Sequence, residues 1–195
     1  EKVARALEAD FLVCDVSDPS AVEALAARAE DAPSDIGAVF ANAGVMKTKP
    51  LVKTTPEDWT FMIGVNLIGV ANMVRSFTPR LTAQQEASRF VATASVAGLV
   101  SAPLTGAYNA TKHGVVSICE TLHQELKNRS PQVGVSVICP GAVQTDILNL
   151  EKYGHDSLNG PASDALAKLM AEKGLSASEL AGSVFKQLAE HKFWI

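Results

Sequence analysis

The sequence is poor in the residues that mark several classes of protein. It has three cysteines, Cys14, Cys119 and Cys139, and none of them belongs to a CxxC pair. Each cysteine lies in an apolar run, so we expect buried, reduced thiols and a reducing, cytoplasmic compartment. The four histidines share no spacing typical of metal ligands, so we expect no metal site.

Charge and hydropathy exclude two classes of partner. The net charge is -4 and no basic block occurs, so a nucleic-acid partner is not expected. No apolar stretch approaches the length of a membrane span, so a membrane partner is not expected either. Hydrophobic residues make up 47% of the 195 residues, which is enough to build the core of one domain.

Both ends of the sequence read as cut. Residues Glu1–Ala9 resemble the middle of an amphipathic helix, without a cap or an initiator methionine. The final residues, Phe193–Ile195, resemble the start of a strand. We therefore expect a fragment of a longer protein or an incomplete sequence, and an intact mass of 20.5 kDa would contradict the idea of missing residues.

Short apolar runs alternate with longer helical patterns along the chain. This alternation predicts an α/β fold, a doubly wound parallel sheet with helices on both faces. The predicted strands are Ala9–Cys14, Ile36–Ala41, Arg89–Ala94 and Val133–Cys139. After Glu1–Ala9, five helices are predicted. One starts at Ser17-Asp18-Pro19, and the others span Thr55-Pro56 to about Leu81, Gly106 to about Arg129, Ser163–Glu172 and Ala177–Glu190.

Polar or glycine-containing segments follow all four predicted strands. They are Asp15-Val16, Asn42-Ala43-Gly44, Ser95 and Pro140-Gly141. Ligands of parallel sheets bind outside the carboxyl ends of the strands, so we expect these segments to share one edge of the sheet.

Tyr108 and Lys112 are four residues apart on a predicted helix and therefore share a face. An ammonium beside a phenol stabilises the phenolate and lowers its pKa, which suits proton transfer to or from a carbonyl or alcohol oxygen. The alternative is a chance pair on a solvated helix face. Ser95, at a strand exit, could hydrogen-bond the same substrate oxygen, or it could simply cap the strand end.

Taken together, these motifs resemble the short-chain dehydrogenases/reductases. The resemblance rests on their order and spacing over about Ala9 to Thr145, and the motifs are Ala41-Asn42-Ala43-Gly44, Asn66, Ser95, Tyr108-Asn109-Ala110-Thr111-Lys112 and Pro140-Gly141-Ala142-Val143-Gln144-Thr145. It implies a Rossmann-type NAD(P)-binding domain over residues 1–195 that lacks its N-terminal glycine-rich βαβ unit.

The resemblance also implies catalytic roles. Tyr108 would be the general acid/base, and Lys112 would hold the nicotinamide ribose and lower the Tyr108 pKa. Ser95 would orient the substrate oxygen, and Asn66 would hold a water that links Lys112 to solvent. An Asn inside an apolar helix is costly unless its amide is satisfied, which suits a local distortion of the helix. A packing or solvent-facing Asn is the alternative.

Cofactor contacts follow from the same resemblance. Asp15 and Val16 would contact the adenine; the alternative is an Asp cap and a core Val. Asn42, Ala43 and Gly44 would pass close to the cofactor; the alternative is a plain turn. Pro140, Gly141, Val143 and Thr145 would cradle the nicotinamide amide; the alternative is a plain strand stop. The choice between NAD and NADP is unreadable, because the segments that set it are absent.

The function that the resemblance implies is hydride transfer between NAD(P) and an alcohol or ketone. A non-catalytic dinucleotide-binding or scaffold protein of the same fold is one alternative, and a sugar-nucleotide epimerase or dehydratase of the extended family is another. We expect residues 146–175 to cover a neutral, partly apolar small-molecule substrate. The two long helices resemble those through which this family pairs subunits, which implies a homodimer or homotetramer.

Overall fold

The computed structural model describes residues 2–149 and 161–195. Three parallel strands form a sheet in the order β1 (Ala38–Ala41), β2 (Ser88–Thr93) and β3 (Val133–Ile138). Val39 pairs with Phe90, and Phe90 pairs with Val135 on its other side. The predicted strands near these positions are therefore confirmed.

In the described part of the chain, helices follow the strands as the alternation predicted. They are α1 (Lys2–Ala6), α2 (Pro19–Glu30), α3 (Pro56–Ile63), α4 (Gly69–Ala83), α5 (Gly106–Leu126), α6 (Pro161–Lys173) and α7 (Ala177–Ala189). Helices α2 and α7 begin with side-chain caps. The Asp18 carboxylate accepts from the Ser20 N–H at 2.8 Å, with Pro19 opening α2. Ser176 and Glu179 form a capping box at the start of α7.

Helices cover both faces of the sheet. Successive side chains of a strand point to opposite faces, so Phe90 packs in the core shared with α2, α4 and α5, whereas Val91 packs with Val184 of α7. Phe90 is fully buried, and burying such a side chain stabilises a fold by roughly 1.5–3 kcal/mol. The doubly wound α/β class is therefore confirmed.

The predicted strand at Ala9–Cys14 is wrong. Residues 9–15 have no regular secondary structure, and Phe11, Leu12 and Val13 are exposed. A strand forms only where a neighbour supplies N–H and C=O partners along its length. In the described residues β1 has no second neighbour, so this apolar run has no strand to join.

The last three residues, in which the sequence predicted the start of a strand, lie beside β3. Val137 donates to the Phe193 carbonyl at 2.8 Å, and Ile195 donates to the Val137 carbonyl at 3.0 Å. Trp194 forms a parallel bridge with Val137. These bonds satisfy backbone groups on the outer edge of β3.

One helical stretch corrects the expectation about membrane spans. Pro56–Ala83 is long and apolar enough, by length and composition, to cross a bilayer. In its most apolar window 44% of the residues are buried inside the protein. Phe77 and Leu81 of the same stretch belong to the core. A core helix gives the same signal, so the finding adds little to a membrane hypothesis.

The cysteines fit their prediction only in part. Cys119 is buried, and burial raises its pKa to about 12, which keeps it a neutral thiol. Cys14 and Cys139 are only half-buried, because they lie at the ends of apolar runs, and all three are free thiols. Within the described ranges, no group of three or more His, Cys, Asp or Glu residues could hold a metal ion; His155 lies outside those ranges.

A buried carboxylate fixes the start of α3. Asp58 is 6% exposed and accepts from Lys47 Nζ at 2.9 Å and from Lys49 Nζ at 2.7 Å. It also forms a capping box with Thr55. Burial alone would raise the pKa of Asp58, but the bonds from Lys49, Lys47 and the Thr55 N–H outweigh burial and hold that pKa well below its usual range.

We expect Asp58→Asn to lower the free energy of unfolding by about 2 kcal/mol, because two partly buried ammonium groups would then face each other without a carboxylate. The lowered pKa means that Asp58 stabilises the fold above its unfolded pKa of about 3.9, and that this contribution is lost as pH falls below it. Denaturant titrations at several pH values measure both effects. The exposed Asp10–Arg28 pair supplies the control, since Asp10→Asn should leave stability unchanged. If Asp58→Asn and Asp10→Asn were equally stable, the stabilising role assigned to Asp58 would be contradicted.

Candidate active site

A cleft of about 800 Å³ opens at the carboxyl ends of the three strands. Most of the residues predicted for the site line it, as expected from the strand exits: Asn42, Ala43, Gly44, Ser95, Tyr108, Lys112, Pro140, Gly141, Val143 and Thr145. Asn66 lies directly behind the cleft wall. Residues 150–160 of the predicted covering segment 146–175 lie outside the described residues.

Lys112 and Tyr108 meet on one face of α5. Lys112 Nζ lies 5.6 Å from the centroid of the Tyr108 ring and donates to the Thr93 carbonyl at 2.7 Å. Lys112 is 3% exposed, and this burial lowers its pKa to about 8. At neutral pH the side chain is therefore a desolvated ammonium at the floor of the cleft.

The electrostatics of Tyr108 differ from the simple expectation. Burial raises the pKa of Tyr108, and a hydrogen bond with the Ser95 side chain opposes that rise. The predicted lowering by Lys112 does not appear in this arrangement, because the ammonium is directed to the Thr93 carbonyl. The nearest group that favours the phenolate is therefore the Ser95 hydroxyl.

Ser95 caps a local turn and also lines the cleft. Its Oγ accepts from the Ala97 N–H at 3.1 Å, which caps the short 3₁₀ turn Val96–Gly98, and it donates to the Pro140 carbonyl at 3.4 Å. The same side chain lines the cleft beside Tyr108. The capping bonds hold the hydroxyl where a substrate oxygen could meet it.

Asn66 lies in a π-helical turn, Gly64–Ile68, between α3 and α4. Its Oδ1 accepts from the Val45 N–H at 2.8 Å, and its Nδ2 donates to the Val45 carbonyl at 2.9 Å and to Thr111 Oγ at 3.1 Å. The expected helix distortion is thus present, and the fully buried amide is satisfied. The water-holding role of Asn66 stays a prediction.

Gly44 separates Asn66 from Lys112. A Cβ at this position would lie 3.5 Å from both Asn66 Oδ1 and Lys112 Nζ, which is ordinary contact distance. The small residue therefore leaves a narrow space between the amide and the ammonium. Nearby, the Thr93 hydroxyl donates to Asn42 Oδ1 at 2.8 Å and joins the exits of β1 and β2.

Asp15 and Val16 do not line the cleft. The Asp15 carboxylate accepts from the Ser17 N–H and hydroxyl, at 2.9 and 2.7 Å. Val16 packs against Gly69, where an added Cβ would lie 2.7 Å from its Cγ2. Both residues thus have structural contacts, and their predicted contact with an adenine stays a prediction.

The sequence interpretation missed several residues of the site. Thr111 Oγ1 accepts from Asn66 Nδ2 at 3.1 Å and donates to the Tyr108 carbonyl at 2.8 Å. Its position between Tyr108 and Lys112 in the sequence was the signal that could have identified it. An apolar wall also lines the cleft and is formed by Met46, Leu104, Ile147, Leu166, Leu169 and Met170. The last four lie in the predicted covering segment 146–175, whereas no motif marks Met46 and Leu104.

Leu104 adds an unusual backbone conformation to that wall. Its φ of 67° lies in the left-handed region, which costs a residue with a Cβ of order 1 kcal/mol or more. The Leu104 carbonyl accepts from the Lys49 N–H at 2.6 Å, which helps to hold this conformation. The loop before α5 is thereby fixed where it lines the cleft.

Comparison with known proteins agrees with this geometry. The family model described as short chain dehydrogenase matches residues 1–154. A 1-deoxy-11-beta-hydroxypentalenate dehydrogenase of Streptomyces exfoliatus is 30% identical over 197 residues, which cover 100% of this chain and 66% of that protein. The chain thus spans just under two thirds of that relative's length.

Solved structures give the same family. A short-chain dehydrogenase/reductase from Burkholderia phymatum in complex with NAD superposes with a TM-score of 0.91 and 38% identity, over 100% of this chain and 73% of that chain. An alcohol dehydrogenase from Thermococcus sibiricus, complexed with 5-hydroxy-NADP, shares the fold with a TM-score of 0.75 and 24% identity, over 96% of this chain and 72% of that chain. The chain belongs to the short-chain dehydrogenase family.

Proposed function

We propose that the chain is the catalytic part of an NAD- or NADP-dependent oxidoreductase that interconverts an alcohol and a ketone. The observation that carries the proposal is the convergence of Ser95, Tyr108 and the buried Lys112 on one cleft at the strand exits. A scaffold protein would gain nothing from a buried ammonium beside a phenol, because an uncompensated buried charge destabilises a fold.

The cleft residues fit a nicotinamide nucleotide. Lys112 Nζ has three N–H donors and bonds the Thr93 carbonyl with one of them, so ribose hydroxyls could accept from the others. An added Cβ at Gly141 would meet no atom within 4 Å, which leaves open space beside Pro140. A short-chain dehydrogenase/reductase has been solved with NAD, and an alcohol dehydrogenase of the same fold has been solved with 5-hydroxy-NADP. Lys112, Gly44 and the 140–145 loop would hold the group.

The chemistry divides between the cofactor and the chain. When bound, the nicotinamide supplies or accepts the hydride. The Ser95 hydroxyl orients the substrate oxygen. The Tyr108 hydroxyl gives its proton to that oxygen during reduction, and the Tyr108 phenolate accepts the proton of the alcohol during oxidation. The Ser95 hydroxyl favours negative charge on Tyr108, Lys112 would hold the ribose hydroxyls of the cofactor, and Asn66 keeps the Val45 backbone and α5 in register behind them.

The wider organisation belongs to the same proposal. Residues 1–195 form one partial Rossmann-type domain, residues 146–175 cover the substrate, and the protein works in the cytoplasm. The apolar wall that includes Met46 and Leu166 suits a neutral substrate with an apolar body. No feature of the site favours a scaffold protein, or an epimerase or dehydratase of the extended family, over this reading.

The variant Tyr108→Phe tests the acid/base role in the full-length protein. It removes one hydroxyl, so we expect turnover to fall by about 10³-fold, the usual range for general acid/base catalysis. Cofactor affinity should change little, since the ring remains. Following NAD(P)H absorbance with a panel of alcohols and ketones measures turnover, and titration calorimetry measures affinity.

A matched control for Tyr108→Phe is Phe40→Tyr on β1, which makes the reverse change outside the cleft. It should keep the wild-type rate. Wild-type turnover by Tyr108→Phe would rule out the proposed mechanism.

Lys112→Met separates cofactor binding from stability. Losing one charge-assisted hydrogen bond should weaken cofactor binding by roughly tenfold or more. Burial lowers the Lys112 pKa to about 8, so the unfolded chain binds more protons between about pH 8 and 10.5, and the free energy of unfolding rises with pH there. Lys112→Met should lose this increase in the free energy of unfolding with pH. An unchanged pH profile of stability would contradict the burial of the ammonium, and Lys53→Met, at an exposed lysine, is the control.

Homo-oligomerisation through α4 and α5 is part of the proposal. A shallow groove between these helices includes Val74, Ile118 and the exposed Thr121. Thr121→Arg would place a like charge on both sides of a symmetric contact, so light scattering should show dissociation. Gln85→Arg, in the turn after α4, should keep the native mass. A monomeric wild-type protein would refute this part of the proposal.

A further inference from the structure

The loop that follows β3 is joined to the end of α6 by a short parallel bridge. Val143 pairs with Leu175, and the Gln144 N–H donates to the Leu175 carbonyl at 2.9 Å. The Leu175 N–H in turn donates to the Ala142 carbonyl at 3.1 Å. We call this bridge, over residues 142–144 and 174–175, the α6 clip.

The Gln144 side chain reinforces the α6 clip. Its Nε2 donates to the Ala171 carbonyl at 3.3 Å and to the Gly174 carbonyl at 3.1 Å. The last carbonyls of a helix have no partner within the helix, and here an amide from another segment satisfies two carbonyls at the end of α6. Gln144 therefore acts as a C-terminal cap that comes from a distant part of the chain.

Neighbouring residues on either side of Gln144 face the cleft. Val143 and Thr145 line it, and both belong to the motif expected to hold the nicotinamide. The opposite partner of the clip, α6, contributes Leu166, Leu169 and Met170 to the apolar wall. The clip thus joins the cofactor side of the cleft to its substrate side.

Gly174 makes the close approach possible. An added Cβ would collide with the Met170 carbonyl and would lie 3.2 Å from both Ala142 C and Gln144 N. These are backbone atoms, which cannot rotate away as a side chain can. Any larger residue at this position would force the two segments of the clip apart.

We propose that Gln144 is a positioning residue that fixes the α6 wall of the substrate cleft relative to the nicotinamide loop. The proposal rests on the proposed function. Gln144 does not line the cleft and acts only through α6 and its own backbone. Cofactor held by Val143 and Thr145 would stabilise the loop, and the clip would pass that stabilisation to α6 as a coupling free energy.

Three substitutions at one position separate donor chemistry from size. Gln144→Glu keeps the shape, loses the N–H donors and places a negative charge at the negative end of α6. Gln144→Ala removes the side chain. Gln144→Lys restores a donor that suits a helix C-terminus and should rescue the wild-type behaviour. A merely space-filling Gln144 would give the opposite order, with Glu tolerated and Lys not.

Amide hydrogen exchange of residues 163–175 is measured on the full-length protein, alone and saturated with NAD(P)H. We expect cofactor to slow this exchange about tenfold in the wild type and in Gln144→Lys, and about twofold or less in Gln144→Glu and Gln144→Ala. In Gln144→Glu the substrate KM should rise about fivefold to tenfold with kcat unchanged, because substrate and transition state lose the same wall contact.

Gly174→Ala provides a second route to an open clip and should reproduce Gln144→Glu in both measurements. Its control is Gly182→Ala in α7, where an added Cβ meets no atom within 4 Å. If cofactor binds every variant and slows the amide exchange of α6 equally in all of them, the proposed role of the clip is wrong and the proposed function is unaffected. A wild-type protein that binds no cofactor would overturn the proposed function, and the clip with it.

Discussion

The site depends on one buried amide, that of Asn66. It bonds both backbone groups of Val45 and the hydroxyl of Thr111, and so joins the exit of β1, the long helical stretch and α5. The amide lies within the π turn Gly64–Ile68, a helix distortion that is frequent at functional sites. An unsatisfied amide in this place would cost several kcal/mol, so its three bonds fix the arrangement. Tyr108 and Lys112 occupy the same helix as Thr111, and their distance from the β1 exit follows from this contact.

The sequence predicted those parts of the site that depend on position along a strand. Ser95, Gly44 and Pro140 each follow an apolar run, and parallel strands bring such residues to one edge whatever the details of packing. The strand at Ala9–Cys14 failed for the complementary reason. Its composition suits a strand, but a strand is a pairwise structure, and composition says nothing about the neighbour. Local pattern predicted the elements, while the pairing of elements decided which of them formed.

Contacts between distant segments could not be read in the same way. Asp58 looks like an ordinary first-turn acid in the sequence, yet Lys47 and Lys49 meet its carboxylate from a loop about ten residues earlier. Gln144 lies within the motif Pro140–Thr145 but is not among its predicted cofactor contacts, and its partners lie 27 to 30 residues away. A side chain that bonds to a distant backbone group leaves no periodic pattern in the sequence, because the residues next to it along the chain do not determine that contact.

The electrostatics of the site follow from the same frame. Burial by itself disfavours both an ionised Tyr108 and a protonated Lys112, so it raises the pKa of Tyr108 and lowers the pKa of Lys112. The Thr93 carbonyl gives the ammonium one acceptor, so the floor of the cleft keeps a positive charge with donors to spare. A ligand that brings hydroxyl acceptors to Lys112 would therefore relieve a cost that the fold already bears. Under the proposed function, cofactor binding in the cleft would therefore come before catalysis, and the proton chemistry of Tyr108 would depend on what that ligand leaves exposed.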